Sequence, residues 1–131
     1  QLVPWSRWRP PAHENASRVF DTRFYLVDAG DTMPLATVDQ TENRMLFWAT
    51  AGEVLEKADR DEVKIIFPTR RNMERLAMFG DFDAAAAHAA EHPVSTVLTF
   101  VEQRADGSWL CIPDGHGYPV LEESLGSAKR G

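Results

Sequence analysis

The chain has 131 residues, 44% of them hydrophobic, which is enough for one core-bearing domain or a large part of one. Its 14 basic and 20 acidic side chains leave a formal charge of −6, which argues against holding a polyanion by general attraction and so against nucleic acid as a partner. No apolar run approaches the ~18 residues that cross a bilayer and no signal segment opens the chain, so no membrane partner is expected either.

"LVPWSRWR", Leu2–Arg9, reads as a short strand that Pro10 and Pro11 stop. The loop "PPAHENASR" then leads to a strand over Val19–Val27. Counting by twos, Phe20, Thr22, Phe24 and Leu26 share one face, and Asp21, Arg23, Tyr25 and Val27 the other. Two readings of that half-polar face are open: a solvated Asp21–Arg23 pair on a surface strand, or the lining of a ligand groove. The loop "DAGDTMPLATVDQTEN" delivers Glu42 to a third strand, "NRMLFWAT".

Thr50 and Glu53 have capping-box spacing and predict a helix of about ten residues with Val54, Leu55 and Ala58 inward. A second helix is signalled by "FPTRRNMERLAMFG", with Thr69 as cap, Met73, Leu76 and Ala77 as its apolar stripe, and Gly80 as its end. Asp81 or Asp83 opens an Ala-rich third helix that Pro93 closes. In "VSTVLTFVEQRADGSWLCIP" two β-rich runs flank a turn at Asp106-Gly107, a hairpin signal. The residues from Leu121 on lack apolar weight, and 122–131 are expected to form a flexible tail. The order of elements predicts a mixed α/β domain.

Cys111, the single cysteine, lies in an apolar run, where it reads as a small buried hydrophobe, and its solitude fits a cytoplasmic setting. Of four histidines, His88 and His92 are four apart on the third helix, but no third ligand at a telling spacing accompanies them. His13 lies in the loop before the FDTRF strand, and His116 sits between glycines. Asp59, Asp61 and Glu62 at a helix end read as a solvated charge run.

In this order, "W-x-x-W" at Trp5 to Trp8, "FDTRFYLV" at Phe20 to Val27, "QTENRMLFW" at Gln40 to Trp48 and "IIFPTRRNMERLA" at Ile65 to Ala77 resemble the C-terminal half of a Nudix hydrolase. More narrowly, they are similar to the branch related to coenzyme A diphosphatases. The likeness covers about residues 2 to 80. It implies an α/β/α sandwich and hydrolysis of a nucleoside diphosphate linked to another group, coenzyme A-like substrates included, with Mg2+ or Mn2+. The Nudix box, G-x5-E-x7-R-E-U-x-E-E-x-G-U, which would hold those cations, is absent: Gly30, Gly52 and Gly80 are followed six residues later by alanines. The chain also opens inside a predicted strand without Met, so the sandwich is expected to be incomplete.

On that resemblance residues 1–92 form the C-terminal portion of the domain, 93–121 a β-hairpin extension and 122–131 the tail. The metal-binding helix would come from an N-terminal segment or a second chain, and a homo-oligomer is also allowed. Glu42, by the same resemblance, orients the attacking water or an outer metal, the alternative being a surface carboxylate. Arg23 offers a planar fork of donors to a substrate phosphate, with Asp21 beside it. Arg70 and Arg71 bring positive charge to a helix start, or stand on the surface. His13 borders the same groove. The competing expectation is a non-catalytic binding or interaction module with a degenerate Nudix fold.

Overall fold

A computed structural model describes residues 2–9, 21–30 and 48–125. Among them the protein is mixed α/β, with three helices and two small three-stranded sheets. Among the described residues no helix is long and apolar enough to cross a membrane.

Strand β1 (Leu2–Arg9) is the middle of the first sheet. It pairs antiparallel with β2 (Thr22–Val27), with a register shift between Pro4 and Ser6, and parallel with β3 (Thr96–Leu98). The bulge fits the burial pattern, because Trp5 and Ser6 are adjacent and yet both buried, as is Trp8. Of the expected strand over Val19–Val27, Val19 and Phe20 lie outside the described residues, and strand runs from Thr22 to Val27. Of the third expected strand, residues 43–47 lie outside the described residues, and 48–50 are not strand.

Helix α1 (Ala51–Asp59) begins at the expected capping box: the Glu53 amide donates to Thr50 Oγ1 at 3.0 Å and the Thr50 amide to Glu53 Oε1 at 2.8 Å. It stops at Asp61, which adopts φ +59°, a left-handed conformation that Asp tolerates better than most residues. The Glu62 amide then donates to the Lys57 carbonyl at 2.8 Å, closing the last turn. Val54, Leu55 and Ala58 are only half-buried, and the helix has no fully buried residue.

Helix α2 (Phe67–Leu76) departs from the sequence reading. Its cap is Ile66, with Pro68 in the first turn where a missing N–H costs nothing, so Thr69 is an internal residue. Its buried face is Phe67, Arg71, Asn72 and Arg75, whereas Met73 and Leu76 are half-buried and Ala77 exposed. The face turned inward is the polar one, because the interior offers it carbonyls, hydroxyls and carboxylates. The apolar stripe sits beside it. Helix α3 (Phe82–Glu91) is capped by Asp81, whose Oδ1 accepts from the Ala84 amide at 2.8 Å.

The hairpin joins β4 (Phe100–Arg104) to β5 (Gly107–Cys111), with Ala105 and Asp106 in the turn and Gly107, at φ +129°, as the first residue of the return strand. The turn is thus displaced by one residue from Asp106-Gly107. The tail expected at 122–131 begins instead as strand β6 (Glu122–Ser124), paired with β5. Its lack of apolar side chains is offset by charge: Glu122 accepts from Arg104 Nη1 and Nη2 at 2.6 and 2.7 Å. Nor do residues 93–121 stand apart as an extension. Val97 and Tyr118 pack with Trp8, Phe67 and Ile112 in one core cluster, while Trp5 packs with Ala85 and Ala89 in a second. Phe24 touches both.

Candidate functional site

The residues picked from sequence fall into separate places. Asp21 and Arg23 belong to the β1–β2 surface, where Pro4, Ser6, Arg7, Phe24, Tyr25 and Arg23 help line a groove of about 260 Å³. Arg7 and Arg23 are cross-strand partners, so two guanidinium groups rise from neighbouring positions. The partner of Asp21 is Arg7 and not Arg23. Arg7 donates through Nε at 2.8 Å and Nη2 at 2.5 Å to the two carboxylate oxygens. That forked bond holds the Asp21 carboxyl below its ordinary pKa, helped by the charges of Arg7, Arg23 and Arg9 and opposed by partial desolvation. Three arginines therefore share one carboxylate. Arg23 is exposed and makes no hydrogen bond or ion pair among the described residues, so its donors face the groove unclaimed.

Arg70 and Arg71 lie around a different concavity, of about 430 Å³, between the α1–α2 connection and β6. Arg70 donates to Asp59 at 2.5 Å and lies 3.6 Å from Glu74. Its guanidinium titrates above its ordinary range: desolvation opposes that, and the hydrogen bond and charge of Asp59 outweigh it. Arg71, expected at the surface or on a ligand, is 2% exposed. It meets Glu74 at 2.6 Å and Glu123 at 3.3 Å, donates to the Glu122 carbonyl at 3.2 Å, and covers the Phe67 ring at 5.0 Å. It ties α2 to β6, which leaves it no fork to offer a phosphate. Of the acidic run, Asp59 engages Arg70, and Glu62 engages Arg60 and Lys57. His13 and Glu42 lie outside the described residues.

A third polar assembly escaped the sequence reading. Ser6 Oγ and the Tyr118 hydroxyl both donate to Asn72 Oδ1, at 2.8 and 3.0 Å, while Asn72 Nδ2 donates to the Pro68 carbonyl at 2.7 Å. Trp8 Nε1 donates to the Tyr118 hydroxyl at 3.0 Å. One turn along, Arg75 is 1% exposed, has its guanidinium carbon 3.7 Å from the Trp5 ring centroid, and donates to the Trp5 carbonyl at 2.9 Å and to His88 Nδ1 at 3.2 Å. Burial holds the Arg75 guanidinium below its ordinary range, and Tyr118 partly offsets it. Burial, then the charges of Arg75 and His92, likewise depress His88, against a weaker pull from Glu91. Its ring lies 4.2 Å from that of His92, whose Nδ1 donates to the His88 carbonyl at 2.9 Å. Gly117, at φ +91°, caps the pair so closely that a Cβ there would stand 2.7 Å from His88 Cε1. The signal available in sequence was the spacing: Phe67, Arg71 and Arg75 recur every fourth residue on one helix face.

Cys111 is buried, and desolvation raises its thiol above the ordinary value, so it is no thiolate nucleophile. Among the described residues no group of three or more His, Cys, Asp and Glu could hold a metal ion. The described residues thus do not fit a divalent cation site. Compared with family models, with curated proteins and with solved structures, the chain gives no match.

Proposed function

We propose that this chain is the C-terminal portion of a Nudix-type diphosphohydrolase with an α/β/α sandwich, and that it supplies the substrate-side wall of the site. The substrate class is a nucleoside diphosphate linked to another group, with coenzyme A-like conjugates included. The observation that carries this reading is the β1–β2 groove, where Thr22–Val27 pair with the Trp-containing strand and Arg23 makes no hydrogen bond or ion pair among the described residues. A guanidinium is suited to the charge on a diphosphate, and Arg7, held by Asp21, adds to the local field in a protein that is otherwise acidic.

Magnesium or manganese would be held by the box helix, which this sequence lacks, in a preceding segment or a second chain. No step of the chemistry is assigned to the residues described. Exposed Tyr25, Val27 and Leu98 on the two outer strands of the first sheet favour a further covering element over an isolated module.

The test is to assay the chain with Mg2+ and a coenzyme A-type diphosphate, alone and together with a polypeptide that carries the box. Hydrolysis only in the combination is expected, and Arg23→Met should lower kcat/KM by about 10- to 100-fold through KM, the loss of a charged hydrogen bond. A folded combination with no hydrolysis of any nucleoside diphosphate conjugate sinks the proposal. A monomer of this chain that melts cooperatively and binds such a conjugate without cutting it supports the binding module instead.

A further inference from the structure

Arg75 is among the most deeply buried of the described side chains, and no ion pair is formed to it among the described residues. Its bonds go to neutral acceptors, the Trp5 carbonyl and His88 Nδ1. Its planes face the Trp5 and Tyr118 rings, and its Nη2 is buried with no hydrogen-bond partner among the described residues. Glu91, the carboxylate felt by His88, does not register on Arg75. A guanidinium cannot escape burial by losing its proton, and an isolated buried charge costs several kcal/mol unless something neutralises it.

Beside Arg75 lies a small cleft lined by Ser6, Ser95, His92, His116 and Tyr118. Ser6 and Tyr118 spend their hydroxyl protons on Asn72, and Ser95 Oγ and His116 Nδ1 share a hydrogen bond at 3.5 Å, so the donors left there are Arg75 Nη2 and the one proton that the Ser95–His116 pair does not use between them. His116, like His88, is kept from protonating by burial and then by the Arg75 charge. The cleft therefore keeps free donors, carries one positive charge and has no described carboxylate in its lining. Its open space of about 10 Å³ is on the order of a single water-sized sphere, too small for a phosphate or a carboxylic acid.

We propose that this cleft is a binding site for one monatomic anion, a halide, which neutralises Arg75 and is held by Arg75 Nη2 and by the proton that the Ser95–His116 pair leaves free. A guanidinium is more weakly hydrated than an ammonium, so the exchange of water for ion costs less at Arg75 than it would at a lysine. Occupancy would lock α2, α3 and β1 around Trp5, and Ser6 and Val94 line both this cleft and the groove assigned to substrate.

The experiment uses the full chain dialysed into sodium isethionate and titrated with sodium chloride at constant ionic strength, read by thermal melting and by the line width of the chloride NMR signal. A saturating rise in Tm is expected, of about 5 °C when chloride reaches ten times its dissociation constant, with chloride lines broadened by the protein. Ser95→Asp, an exposed position at the cleft, supplies the charge covalently and should abolish both effects while raising Tm in isethionate. Identical melts and narrow lines in both salts overturn the proposal, as does a Ser95→Asp variant with undiminished chloride dependence. Stabilisation by phosphate but not by chloride overturns the monatomic assignment.

Discussion

Arg71 and Arg75 stand one turn apart on the same face of α2, and both are almost completely withdrawn from solvent. Arg71 is met by the carboxylates of Glu74 and Glu123 and by the Glu122 carbonyl, so its charge is answered. Arg75 meets a carbonyl, an imidazole and two aromatic faces. The two positions show that burial of an arginine can serve opposite ends. At Arg71 a closed ion cluster staples β6, a strand with no apolar side chains, onto the body of the protein. At Arg75 the charge is left open beside a cleft.

The comparison breaks most visibly at Arg71. Arg71→Met removes the cation between two partly buried carboxylates, of which only Glu74 keeps a second partner, Arg70 at 3.6 Å. A loss of about 3 kcal/mol is expected, a fall of roughly 12 °C in Tm, and detachment of β6 should show as early hydrogen exchange at the Cys111 amide. A loss below about 1 kcal/mol would mean that the cluster merely balances its own desolvation.

Arg75→Met should cost much less, about 1 kcal/mol. It forfeits the bonds to Trp5 and His88 but also removes the buried charge and leaves a side chain of similar length over the Trp5 ring. Equilibrium denaturation at low salt compares the two variants directly. If Arg75→Met proves the more damaging, then Arg75 is compensated after all and its contrast with Arg71 collapses.

Acid provides a third separation. Unfolded, His88 and His116 take up protons near their ordinary pKa of ~6.5, whereas in the folded protein burial and Arg75 hold both lower. The unfolded state therefore binds more protons in this window. The stability due to these groups is complete above pH ~6.5 and is lost as pH falls through that value toward the folded pKa values. Denaturation midpoints in urea should drop between pH 7.5 and 5.5, and Arg75→Met should shallow that drop because one of the depressing charges is gone. The carboxylates with lowered pKa, Asp21 and Glu122 among them, act in the same direction only below about pH 4.

How much of this could be read beforehand follows the range of the interactions. The capping box of Thr50 and Glu53, the Asp81 cap and the approximate place of the hairpin are local chemistry and stand in the sequence as they stand in the fold. Thr69 as a cap failed because Pro68 moved the helix start upstream. The polar inner face of α2 depends on Ser6 and Tyr118, 66 and 46 positions from Asn72, and on Glu123, far along the chain from Arg71, and no periodicity count reaches that far. Likewise a tail without hydrophobic residues reads as loose until Arg104 and Arg71 are known to face it. In the proposed substrate groove the alternation of Thr22 to Val27 did identify the open face, but the identity of the carboxylate's partner turned on the β1–β2 register, which places Arg7 across from Arg23.

The smallest structural effect belongs to that surface pair and is also the most informative about function. Asp21→Asn removes the forked acceptor of Arg7 at an exposed position, where such pairs contribute little, so Tm should stay within experimental scatter. Its electrostatic effect runs the other way. With the Asp21 carboxylate gone, Arg7, Arg9 and Arg23 lose its opposing charge, and binding of a diphosphate conjugate to the groove should strengthen at low salt and lose that gain as salt rises. Titration of Asp21→Asn, Arg23→Met and the double variant separates the roles. If Arg23 makes the contact and Asp21 only tunes the field, the gain from Asp21→Asn persists in part through Arg7 but affinity in the double variant stays below that of the parent chain. Equal affinities in all four proteins would remove the β1–β2 surface from consideration as a substrate wall, whatever the rest of the assembly does.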